Sequence, residues 1–97
     1  MRVVFTPRAE LQVDELHRYI AERSGFEGRA DGYIGRIVDY CLSFTTFPMR
    51  GTARDDILPG LRIVGFERRV MIAFVVEPDR IVIEGIFYGG QDFEGAL

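Results

Sequence analysis

Proton-transfer and nucleophilic chemistry have little to draw on in this chain. It holds one histidine, His17, one cysteine, Cys41, and twelve arginines with no lysine. A lysine base or Schiff base is therefore excluded. Arginine stays protonated and presents a rigid donor fork, so these side chains can bind carboxylates or phosphates but cannot act as bases. A zinc site needs four tetrahedral ligands, or three and a water, which one histidine and one cysteine far apart in sequence do not supply. No metal and no cofactor is expected. Cys41 falls at the spacing of an apolar helix face and reads as a small buried hydrophobe. As the sole cysteine it can form no intrachain disulfide, and a reducing compartment is expected.

Charge narrows the partners. The net charge is −3. Residues 1–49 carry six arginines against seven acids, and residues 50–97 carry six against eight. A protein that grips nucleic acid through its phosphates would show a positive excess, so no direct sequence-specific nucleic-acid binding is expected. The length of 97 residues suits a single domain spanning 1–97. An apolar fraction of 47% predicts a packed core. The longest apolar runs, such as Val70–Val76, fall far short of the roughly 20 residues a membrane span needs. No charged-then-apolar leader opens the chain. A cytoplasmic protein without membrane contact is expected.

These residues must be positioned by a modest set of elements. Val3-Val4-Phe5 reads as a short strand, closed by Thr6 as helix N-cap and Pro7 at the first helical position. Ala9, Val13, Leu16 and Ile20 then recur at helical spacing until Ser24-Gly25, with His17 at the surface. A second helix is predicted from about Glu27 to Thr46, with Ala30, Ile34, Ile37, Cys41 and Phe44 as its stripe, stopped by Pro48. Gly28, Gly32 and Gly35 weaken it by roughly 1 kcal/mol each, and close helix packing is their expected use. A short connection makes the two helices an antiparallel hairpin. Residues 49–60 read as a polar connector. Leu61–Phe66, Val70–Val76 and Arg80–Phe87 read as three strands, with Glu77-Pro78-Asp79 as the last turn. The expected fold is α+β: an N-terminal strand, an antiparallel helical hairpin, then a three-stranded antiparallel meander with the helices on one sheet face.

Alternation along the strands assigns faces. With Leu61, Ile63 and Gly65 toward the helices, Arg62, Val64 and Phe66 point away. With Ile81, Ile83 and Phe87 inward, Val82, Glu84, Ile86 and Tyr88 point out, joined by Met71, Ala73 and Val75. That outer face would be an apolar interaction surface, unless the C-terminal tail or a self-partner covers it. One bulge would invert part of the assignment.

Three stretches carry a family resemblance: Asp55-Asp56-Ile57-Leu58-Pro59-Gly60-Leu61-Arg62, Gly65 to Phe74, and Ile86-Phe87-Tyr88-Gly89-Gly90-Gln91-Asp92. Together with Pro7-Arg8-Ala9, Leu16 and Tyr19-Ile20, they make nearly the whole chain resemble RelE/ParE-type toxins. The resemblance implies the toxin of a bacterial type II toxin-antitoxin module, held inactive by a cognate antitoxin that lays an extended or helical segment over it. Members similar to RelE cut messenger RNA on the ribosome, and members similar to ParE act on DNA gyrase.

An RNA-cleaving member needs a proton-transfer pair beside cations. Arg62, Glu84 and Tyr88 on one face could be such a site, or a structural or partner-binding cluster. The acidic balance and the missing lysine favour the ParE-like reading, a binding protein rather than an enzyme, with a ParD-like ribbon-helix-helix antitoxin in a hetero-oligomer. The expected antitoxin- or target-binding residues are Arg62, Val64, Phe66, Arg68, Arg69, Met71, Tyr88, Gln91 and Asp92. Arg68 and Arg69 read equally as solvated turn residues, and Asp92 as a cap for the tail.

Overall fold

Thr6 ends the first strand and starts the first helix in a single step. In the computed structural model, which describes residues 1–97, its Oγ1 accepts a hydrogen bond from the Ala9 N–H at 3.1 Å, and Pro7 occupies the position where a missing N–H costs nothing. Strand β1 (Arg2–Phe5) thus passes into α1 (Pro7–Ser24). Gly25 closes α1 with φ +69, a left-handed conformation open to glycine, and its N–H donates to the Ala21 carbonyl at 2.9 Å. The chain reverses into α2 (Glu27–Leu42). His17 Nε2 meets Asp31 Oδ1 at 2.7 Å and ties the two helices together.

The helix predicted to reach Thr46 ends at Leu42 and tightens into a single 3₁₀ turn at Ser43–Thr45. Its glycines do not serve close packing. A Cβ at Gly32 or Gly35 would meet nothing within 4 Å, and one at Gly28 would meet only the ring of Phe26.

The connector itself holds β2 (Thr52–Ala53), and beyond it come β3 (Leu61–Phe66), β4 (Val70–Val76), β5 (Arg80–Tyr88) and a short α3 (Phe93–Ala96). The sheet order is β1-β5-β4-β3-β2, with β1 parallel to β5 and the other pairings antiparallel. The α+β arrangement and the meander match expectation. The two-residue β2 and four-residue α3 are too short to leave a periodic signal.

The helical hairpin packs on one sheet face over a core that includes Leu16, Ile37, Cys41, Phe44, Ile72, Phe74, Ile81 and Ile83. Fully burying each large apolar side chain contributes about 1.5–3 kcal/mol, and the rings of Phe44 and Phe74 meet at 4.6 Å.

Two of the expected face assignments are overturned. On β3, Val64 and Phe66 pack with the helix-side core, while Leu61 and Ile63 belong to the opposite face. All four are apolar, so alternation carried no sign. On β5 a bulge breaks the register: Ala73 pairs with Gly85 but Phe74 with Ile83, leaving Glu84 as the extra residue. Ile83 and Ile86 therefore share the helix face with Tyr88, and Phe87 turns to the other. Met71, Ala73 and Val75 do face away from the helices, but that side is no open surface. Ile57, Leu58, Phe93 and Leu97 pack over Leu61, Ala73 and Phe87, so the connector and the tail cover it.

Candidate functional site

The three residues that could have formed a ribonuclease centre are not brought together. Arg62 is spent on its own chain: Nε donates to the Arg50 carbonyl at 2.9 Å, and Nη2 donates to those of Met49 at 3.0 Å and Gly51 at 3.2 Å. Arg62, Phe74 and Ile83 lie in one row across the sheet, whereas Tyr88 shares a row with Val70 and Phe66. Four residues separate those rows along β3, about 13 Å. Glu84, at the bulge, lies two strands from Arg62, about 10 Å.

The remaining expected binding residues also disperse. Val64 and Phe66 are half-buried under the helices, and Phe66 stacks on Tyr40 at 4.8 Å. Met71 packs on the covered face. Arg68 and Arg69 are exposed in the β3–β4 turn, where Glu67 and Arg68 both take positive φ, +49 and +68. Asp92 is the N-cap of α3, accepting from the Gly95 N–H at 3.0 Å.

Tyr88, Arg69 and Gln91 do converge. They meet α1 at a groove of about 460 Å³ that also takes in Gln12, Leu16 and Ile86. Its wall is aromatic: Tyr19 lies 5.6 Å from Tyr88, and Tyr33 meets Tyr88 edge-on at 6.3 Å. Arg23 lies over the Tyr19 ring at 5.7 Å. Arg36 lies over Tyr33 at 5.2 Å and grips Glu67 with two hydrogen bonds of 2.8 and 3.0 Å. Burial, then the neighbouring Tyr88 and Glu67, push the Tyr33 hydroxyl above its ordinary value.

Gln12, Tyr19, Arg23 and Tyr33 were absent from the sequence expectation. Gln12, Leu16, Tyr19 and Arg23 recur at four, three and four residues, a second stripe on α1 beside its core face. That periodicity was the available signal.

Chemically the groove is mainly a donor surface, with Glu15 the one acid in its lining. Arg23 and Arg69 are exposed and form no ion pair, unlike Arg36, Arg54 and Arg80. Gln12 and Gln91 use their Oε1 atoms as acceptors, leaving their amide hydrogens free. Such an arrangement binds acceptor-rich groups and offers no paired acid and base.

The helical hairpin over a meander, with β1 returned beside β5, defines a RelE/ParE-type domain. A family model described as the ParE toxin of the type II toxin-antitoxin system parDE matches residues 3–93, and the chain belongs to that family. A solved structure described as the chromosomal ParDE TA system from P. aeruginosa shares the fold, with a TM-score of 0.78 and 22% identity over 92% of this chain and 96% of that one. None of the curated proteins matches in sequence.

Proposed function

We propose that this protein, as one toxin domain over residues 1–97, inhibits DNA gyrase by protein–protein contact and is neutralised by a cognate ParD-like ribbon-helix-helix antitoxin in a hetero-oligomer. The observation that carries the reading is the ParE family match over residues 3–93. The donor groove at Tyr88 supports it, because such a surface suits an acidic protein segment. The wide separation of Arg62 from Tyr88 supports binding over RNA cleavage. No helix is long and apolar enough to cross a membrane, which accords with action in the cytoplasm.

The test is supercoiling of relaxed plasmid by gyrase in the presence of purified protein. Dose-dependent inhibition, relieved by the antitoxin, is expected. Unimpaired supercoiling together with ribosome-dependent transcript cleavage would overturn the proposal in favour of a RelE-like ribonuclease.

A further inference from the structure

Three residues, Glu67–Arg69, join β3 to β4. Theirs is the one turn in which residues with side chains take left-handed backbone: φ is +49 at Glu67 and +68 at Arg68, and every other positive φ belongs to a glycine. In that region Cβ crowds the following carbonyl oxygen, and hairpin turns that need two such residues ordinarily take Asn-Gly or Gly-Gly. The turn is strained, and its own residues do nothing to relieve it.

What holds it comes from another element. Arg36, on α2, grips the Glu67 carboxylate through Nε at 2.8 Å and Nη2 at 3.0 Å, and its guanidinium lies over Tyr33 at 5.2 Å. The Arg36 side chain is 55% exposed, so salt and competing acids can reach the fork.

The turn anchors the end of β5. The Arg69 carbonyl accepts from the Gly89 N–H at 2.8 Å, one rung beyond the Val70–Tyr88 pair. Gly89 and Gly90 follow, and a Cβ on either would meet nothing within 4 Å, so packing does not fix the path from that rung to α3. Only the Gln91 side chain, accepting from the Tyr88 N–H at 2.7 Å, spans this hinge. Further along, the tail rests on Phe87 through Phe93, on Arg54 through Glu94 and on Arg8 through the Ala96 carbonyl.

We propose that the Arg36–Glu67 pair is a latch on the strained turn and that the Arg69–Gly89 rung passes its state to the C-terminal tail. Drawing Arg36 away from Glu67 lets the turn leave the left-handed region, breaks the rung and loosens residues 91–97 from the second sheet face. The trigger is an acidic group of a partner that takes the guanidinium fork in place of Glu67. The apolar surface at Leu61, Ala73 and Phe87 is thereby controlled by a charge on the helix side of the sheet.

The test is amide exchange with water, read by NMR on the ¹⁵N-labelled full chain. Arg36→Met removes the fork and should speed exchange at Gly89, Gly95 and Leu97 together, at least threefold. Gly25 and Thr46, whose N–H groups are bonded in remote turns, should keep their rates. In the unaltered chain, raising sodium chloride from about 0.05 to about 1 M should speed Gly89 by screening the pair, and in Arg36→Met it should not. Adding Arg68→Gly to Arg36→Met should restore slow exchange, because glycine holds a φ of +68 without crowding. Without that rescue the pair restrains no strain, and the proposal falls. It falls equally if Gly89 is unmoved in Arg36→Met, if Gly89 speeds while Gly95 and Leu97 stay slow, or if salt acts alike on both chains.

Discussion

Arg62 shows how far a residue's chemistry depends on what its fork finds. Its three hydrogen bonds reach carbonyls 11 to 13 residues earlier, holding the connector against β3. Hydrogen bonds from a charged donor contribute about 1.5–3 kcal/mol, so Arg62→Ala should lower unfolding free energy in urea by roughly that much. Arg62→Lys should recover only part, because an ammonium cannot span the same fork. No local pattern encodes a partner in an irregular loop, which is why the sequence offered Arg62 as a face residue instead. Cys41 was legible because its apolar spacing alone places it. Burial pushes its thiol from the ordinary value of 9.0 up to about 12. At pH 8 that leaves about a thousandfold less thiolate than an exposed cysteine. Native protein should therefore react with a thiol reagent slowly, and at the ordinary rate in denaturant; equal rates would place Cys41 at the surface.

Element boundaries follow from punctuation that acts locally: Thr6-Pro7, Ser24-Gly25 and the Glu77-Pro78-Asp79 turn each impose a backbone conformation on their own. Element faces do not, since β3 and β5 are apolar on both sides and a single extra residue at Glu84 exchanges them. The same ambiguity hid the groove, whose floor combines Leu16 on α1 with Ile86 just beyond the bulge. Gly85 beside the bulge is tightly constrained. A Cβ there would lie 2.5 Å from Cε2 of Phe87 and 3.3 Å from Gln12 Oε1. The Phe87 ring is 4% exposed and has little room to retreat. Gly85→Ala should cost about 1–3 kcal/mol, in the range of overpacked cores. It should also shift the Gln12 side-chain amide in an NMR spectrum. Retained stability with an unmoved Gln12 signal would show that the ring relocates freely.

At the scale of the molecule, ends distant in sequence are tied by arginines. Arg54 bonds Asp56 at 3.0 and 2.9 Å and reaches Glu94 at 3.4 Å, while Arg8 donates to the Ala96 carbonyl at 2.7 Å. The guanidinium groups of Arg54 and Arg36 hold the Asp56 and Glu67 carboxyls below their ordinary 3.8 and 4.5. A depressed folded-state pKa stabilises above the unfolded value and is lost as pH falls through the folded one. The melting temperature should thus decline as pH drops below about 4.5, less steeply in an Asp56→Asn, Glu67→Gln double variant. A parallel decline in both would exclude these pairs as its source.

The tail carries a larger consequence, because it settles whether the second sheet face is available to partners. Phe93 and Leu97 are half-buried over Leu61, Ala73 and Phe87, with the Phe93 and Phe87 rings 6.1 Å apart. Two partly buried apolar side chains contribute about 2 kcal/mol together. Removing residues 93–97 while keeping Gln91 and Asp92 should lower stability by about that amount and expose an apolar sheet face. An exposed face of this kind drives association, so the truncated chain should elute earlier than the full one in size-exclusion chromatography, increasingly so at higher concentration. Unchanged stability and elution would mean that Ile57 and Leu58 suffice as cover.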